Sequence, residues 1–239
     1  MTQSPPIPPT SWRITFEIRL LSDAHVGAGI NLLGGNLQGL RRDDDGFPYI
    51  PERQVRGLLR QAGSVLRQSV CLKDGPDLFK KAFGAGPKEE KANRNQGGWS
   101  CTGARYPWEK RQEAPVHHTA SLHQPYFSEK GILARQAHVD VEHARFFGYQ
   151  KMGGREANMR VLEGRLFSHE LLTERDVAFL IACMKMDDRI GQRRSRGYGY
   201  CRWNPVRVDC DQKGQWQEDA RPLEAWLDVL LDGTMEAAS

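Results

Sequence analysis

Hydrophobic and polar residues alternate strictly over Trp12–Leu21. Ile14, Phe16, Ile18 and Leu20 share one face, and Arg13, Thr15, Glu17 and Arg19 share the other, which predicts a half-buried strand. A glycine-rich stretch follows, Ala24-His25-Val26-Gly27-Ala28-Gly29 and then Gly34-Gly35, and reads as a loop. Asp45-Gly46 marks a tight turn. Pro51 opens a helix expected to run from Glu52 to about Ser69, because its missing N–H costs nothing at that position. Val55, Leu58, Leu59, Ala62 and Leu66 recur at helical spacing as its apolar face. Arg53, Arg56, Arg60 and Arg67 form a basic stripe beside it, either facing phosphate or resting their stems on the core edge. Gly57 costs helix propensity and suggests a close approach at that point.

The periodicity weakens from Gly75 to Gly131. Residues 127–147 then alternate around Lys130-Gly131, as a protruding hairpin would. A second strand is expected around Met159–Phe167. Thr173 caps a helix, with Asp176 three residues on as a shortened capping box. That helix buries Val177, Leu180, Ile181 and Met184 and ends near Asp188. A last strand runs from Tyr198 to Val208, interrupted at Asn204-Pro205, and an amphipathic helix covers about Leu223–Leu231. The order strand, helix, strand, helix, strand with insertions fits a βαββαβ pattern and an α+β class with helices on one face of an antiparallel sheet. Residues 1–11 read as a loose Pro-rich tail, 12–211 as one domain with an insertion at about 75–150, and 212–239 as a C-terminal tail holding the short helix.

Composition narrows the class. The 239 residues are 39% hydrophobic and 27% charged, which suits a folded core and excludes a disordered chain. No run long enough to span a bilayer exists, so no membrane association is expected. The N-terminal stretch lacks the charged and apolar regions of a signal peptide, and the five scattered cysteines then suit a reducing cytoplasm. A net charge of +4 does not demand nucleic acid, but the arginines are concentrated. Residues 189–200 hold four arginines, three glycines and two tyrosines, including Gly191, Arg193, Arg194, Arg196 and Tyr198. Glycine lets backbone approach a ligand, arginine forks match phosphate, and a tyrosine ring stacks on a base. The combination points to a loop that grips a nucleic-acid backbone.

Metal and cofactor signals are weak. Asp43-Asp44-Asp45 lacks the alternate acids of a calcium loop and reads as a solvated turn. Cys101, His117, His118 and His123 are zinc candidates without paired spacing. The glycine segments match neither a P-loop nor a dinucleotide fingerprint, so no cofactor is expected beyond a divalent metal if the chain cleaves RNA.

Three segments together resemble the RAMP superfamily. Gly46-Phe47-Pro48-Tyr49-Ile50-Pro51 followed by Val55-Arg56-Gly57-Leu58-Leu59-Arg60 resembles its Pro-Tyr-Ile-Pro signature and helix. Ala24–Gly29 resembles the segment after its first strand, and Ile190–Gly199 resembles its C-terminal glycine-rich loop. The combination is most similar to the backbone, or filament, subunits of type III CRISPR effector complexes. The resemblance implies a ferredoxin-like, RRM-like fold with a β-hairpin thumb within residues 127–149. It implies crRNA and target RNA as partners, beside other effector subunits and further copies of the chain, in antiviral defence. It assigns RNA contacts to His25, Gly27, Arg53, Arg56, Arg60, Gly191, Arg193, Arg194, Arg196 and Tyr198.

Two departures bear on function. Glu52-Arg53-Gln54 stands where the family carries Gly-Ser-Ser. Target-cleaving members have an aspartate where this chain has Leu37, beside Asn36 and Gln38, and neither leucine nor an amide serves as general base or metal ligand. Asp23, Asp43 and His25 are the remaining catalytic candidates. The sequence therefore reads as a guide-binding subunit that does not cut its target. The alternatives are a target-cleaving or RNA-processing endoribonuclease of the same fold, and an end-capping relative.

Overall fold

The structure, a computed structural model, describes residues 10–21, 24, 26–32, 37–41, 43–45, 49–69, 72–84, 97–107, 126–127, 133–135, 161–186, 188–191 and 199–235. Trp12–Leu20 (β1) is the central strand. Trp12, Ile14, Phe16, Ile18 and Leu20 are almost completely buried, as the alternation predicts. The short Gly27–Leu32 (β2) and Leu37–Leu40 (β3) pair with each other in a separate ribbon, within the stretch whose glycines suggest a loop.

Glu52–Leu66 (α1) follows Pro51 and buries Val55, Leu58, Leu59, Ala62 and Gly63. It stops three residues short of the expected end, in a turn at Arg67–Gln68. Gly75–Phe83 (α2) and Trp99–Cys101 (β4) come next, where the sequence pattern is weak. Tyr126–Phe127 (β5) and Leu133–Arg135 (β6) form a small hairpin in the region expected to hold one. Val161–Ser168 (β7), Glu174–Met186 (α3), Cys201–Gln212 (β8), Gln215–Asp219 (β9) and Leu223–Met235 (α4) complete the chain.

The main sheet has the order β4-β7-β1-β8-β9. All its pairings are antiparallel. Taking β1, β4, β7 and β8 as the four core strands, each helical crossover skips one strand, which is the split βαβ arrangement of a ferredoxin-like α+β fold. The helices contact one another (α1 and α2 with α3, and α3 with α4) and share one face of the sheet.

Three contacts fix that layer. Phe16 lies over Gly164 of β7, where a Cβ would come within 2.4 Å of the ring, and it stacks on Trp203 of β8 with centroids 5.3 Å apart. The register shift between Thr15 and Phe16 falls beside Pro205, which has no N–H to give the ladder. Trp12 meets Trp226 of α4 edge to face at 5.7 Å, so the C-terminal helix closes the core.

Thr173 caps α3 in the predicted manner. Its N–H and hydroxyl donate to the buried Asp176 carboxylate at 2.9 and 2.7 Å. Arg175 grips Asp74 with two hydrogen bonds of 2.6 and 2.8 Å and also donates to the Val229 carbonyl, joining the start of α2 to α4. That hydrogen-bonded guanidinium holds the Asp74 carboxyl below its ordinary pKa.

Replacing Gly164 by alanine should destabilise the chain by about 1–3 kcal/mol, because the Phe16 ring has no second place to go. Urea denaturation checks this, and an unchanged midpoint would mean the ring moves freely.

Candidate nucleic-acid interface

The three motif segments meet at one end of the sheet, where β1 ends and β7 and β8 begin. Their junctions are backbone hydrogen bonds. Leu21 N–H donates to Tyr200 at 2.8 Å, and Arg41 N–H donates to Val26 at 2.8 Å. Tyr49 N–H donates to Arg41 at 3.2 Å, and Ile50 and Ala104 exchange two bonds of 2.9 Å. Arg105 and Glu163 exchange a further pair and tie the belt to β7. Ala24, Val26 and Ile50 are buried beneath it. Gly103 is required here, since a Cβ would lie 2.6 Å from the Ile50 carbonyl. The Tyr49 hydroxyl accepts from Arg41 at 3.1 Å, and Arg105 lies 5.1 Å over its ring.

The arginine-rich segment leaves this belt through a closed neck. Arg189 and Tyr200 form a β-bridge, and Arg189 lies 4.2 Å over the Tyr200 ring. Ile190 N–H donates to Gly199, and Cys201 N–H donates to Asp188, both at 2.8 Å. Gly191 and Gly199 both have positive φ, at 76° and 78°. Gly199 is further constrained, because a Cβ would fall 1.9 Å from the Ile190 carbonyl oxygen. The neck therefore brings both ends of the 192–198 segment to one point of the rim. Arg193, Arg194, Arg196 and Tyr198 lie outside the described residues, as do His25 and Asp23. Gly27 is in β2, paired with Leu40.

The α1 stripe divides. Arg53 is exposed and Arg56 half-buried in the first turns, near the belt. Arg60 is half-buried. It donates to the Phe83 carbonyl at 2.7 Å and lies 5.3 Å over Phe79, while Arg67 covers the same ring at 4.5 Å. Here the arginine stems cover the edge of α2, a long-range contact that the spacing within α1 does not reveal. Gly57 likewise meets nothing within 4 Å, whereas the close approach falls at Gly63, against Phe83, Cys183 and Phe79.

Of the catalytic and metal candidates, Asp43 and Cys101 are among the described residues. Leu37 begins β3 opposite Leu32. Asp44 and Asp45 are exposed in a turn, as their composition suggests, with Asp43 half-buried beside them. The Cys101 thiol donates to the Glu52 carbonyl at 3.3 Å, and burial pushes its pKa up to about 11. A thiol held protonated in this way is a poor zinc ligand. His117, His118 and His123 lie outside the described residues, and no metal-binding cluster of three or more groups occurs among the described ones. No helix there is long and apolar enough to cross a membrane.

Comparison with known proteins fits this geometry. A family model of the RAMP superfamily matches residues 17–202. The chain belongs to the RAMP superfamily. The match spans β1 to the first residues of β8 and contains all three motif segments. The fold is also similar to a chain of the crystal structure of a Csm3–Csm4 subcomplex in the type III-A CRISPR–Cas interference complex. That similarity has 15% identity and a TM-score of 0.50, and covers 95% of this chain and 97% of that one. No curated protein matches the chain.

Arg60→Ala should lower stability by about 1–2 kcal/mol through lost packing and an orphaned carbonyl. Urea denaturation checks this, and an unchanged midpoint would mean the Arg60 contacts with α2 contribute nothing to stability.

Proposed function

We propose that this RAMP protein is a guide-RNA-binding backbone subunit of a type III CRISPR effector complex. In this reading it positions crRNA and target RNA beside other effector subunits and further copies of itself, in the cytoplasm, in antiviral defence. The observation that carries the reading is the convergence of three sequence-distant segments on one rim. There the ends of the arginine-rich segment are pinned at the neck, where Ile190 N–H donates to Gly199 and Leu21 N–H to Tyr200. Backbone pinned in advance loses little entropy when phosphate arrives, and guanidinium forks supply charge-assisted bonds. His25, Gly27, Arg53, Arg56, Gly191, Arg193, Arg194, Arg196 and Tyr198 remain the proposed contacts. Arg60 acts as a support for α2. The β5–β6 hairpin lies in the segment proposed as the thumb.

The chain is proposed to hold its target without cutting it, because leucine at position 37 offers neither a proton acceptor nor a metal ligand. The test is purification from a host that expresses the neighbouring genes and a repeat–spacer array. Short bound RNAs with a fixed repeat-derived end are expected, and recovery without defined RNA would sink the reading. Substituting Asp23 and Asp43 in the assembled complex should leave any target cleavage unchanged. Loss of cleavage would instead make the chain the nuclease.

Arg193→Gln with Arg194→Gln should weaken RNA binding and reduce the slope of log K against log salt by about 1.4, since each single-strand phosphate contributes about 0.7. Titrations at several salt concentrations measure this, and an unchanged slope would reduce the segment to a simple turn.

A further inference from the structure

A second cationic feature lies on the sheet face opposite the helices, next to the neck. Strand pairing sets Arg19 of β1 directly opposite Arg202 of β8, and both are exposed. Like charges so placed sit about 5 Å apart at Cβ and weaken the pair. Among the described residues neither side chain has an ion pair or a hydrogen bond. Other arginines on this face are treated differently. Arg13 and Arg207 both bond the buried Asp209 carboxylate, at 2.9 and 2.6 Å.

The surroundings sharpen the contrast. Arg19 faces apolar Val161 on its other side. The Lys185 ammonium reaches β8 from α3, 3.5 Å from the Trp203 carbonyl. Its pKa is held down first by burial and then by the charge of Arg202, while Glu224 acts the other way. One step toward the neck on the same face lie Leu21 and Tyr200, which are 52% and 36% exposed, with Arg189 over the Tyr200 ring. The neighbouring acids are Glu17, two residues before Arg19 on the same face of β1, diagonal to Arg202 and itself opposite Glu163, and Asp188, 3.8 Å from Arg189.

We propose that Arg19 and Arg202, flanked by Arg189 and Tyr200, form an anion site that binds the phosphodiester backbone of single-stranded RNA continuing from the arginine-rich segment onto the outer face of the sheet. A phosphate between two guanidinium forks turns their repulsion into shared attraction. The Tyr200 ring provides a surface on which an adjacent base stacks. The inference rests on the RNA-binding function proposed above and extends the path beyond the motif segments.

The test uses the full chain and a labelled, unstructured single-stranded RNA. Four proteins are compared: wild type, Arg19→Gln with Arg202→Gln, Arg193→Gln with Arg194→Gln, and Lys213→Gln at the distant β8–β9 turn as control. The Arg19/Arg202 variant should bind about tenfold more weakly and lose about 0.7 from the salt slope, the share of the one phosphate held between the two forks. Its melting temperature without RNA should be equal to or above wild type, because a repulsion is removed. Lys213→Gln should match wild type.

Unchanged affinity and slope in the Arg19/Arg202 variant, with binding lost in the Arg193/Arg194 variant, would overturn this site and leave the proposed function standing. The same result with lost assembly onto neighbouring subunits would reassign the pair to an acidic protein surface. A lowered melting temperature would make the pair structural and equally overturn the inference. Wild-type binding by both variants would remove the RNA reading itself.

Discussion

The ring of Phe16 is the contact on which the rest of the sheet depends. It sits on the central strand with Gly164 beneath it on one side and Trp203 on the other. β7 and β8 both take their register from β1, so this one side chain sets the spacing between the two halves of the fold. Those halves carry the two ends of the candidate interface. The belt through Arg105 and Glu163 hangs from β7, and the neck at Arg189 and Tyr200 opens onto β8. A shift of either strand against β1 would separate the motif segments, although none of them touches Phe16 in sequence.

Packing and charge divide the arginines into two populations. Arg13, Arg175, Arg207 and Arg221 are committed to carboxylates within the fold, and Arg60 and Arg67 to aromatic faces. Arg53, Arg19 and Arg202 are exposed at the end where the motifs meet. A net charge of only +4 conceals this segregation. The sum is small because acids balance the arginines across the chain as a whole. Local placement, not total charge, gives such a surface its attraction for a polyanion.

Much of the frame was legible from local patterns. Strict alternation found β1, helical spacing found the buried face of α1, and Thr173 with Asp176 marked the start of α3. These signals work because each is satisfied within one element. What stayed hidden depends on distant partners. β4 is three residues long and is a strand because Trp99 and Cys101 pair with Ser168 and Leu166 of β7. β9 reads Gln-Trp-Gln-Glu-Asp, which carries no apolar alternation, and it exists through its ladder to β8. The role of Arg60 follows from α2 arriving beside it. For the interface, the motif residues were readable, but their convergence and the opposed Arg19–Arg202 pair required the strand register.

The interruption at Pro205 has a consequence for solubility. β9 pairs only with the distal part of β8, Val208–Gln212, so the proximal part forms an outer border of the sheet among the described residues. Such a border is a template on which a foreign strand can add and begin aggregation. Here the bulge at Pro205 breaks the regularity of that border, and Arg202 and Arg207 stand exposed to either side. An irregular, charged border of this kind disfavours addition of a foreign strand.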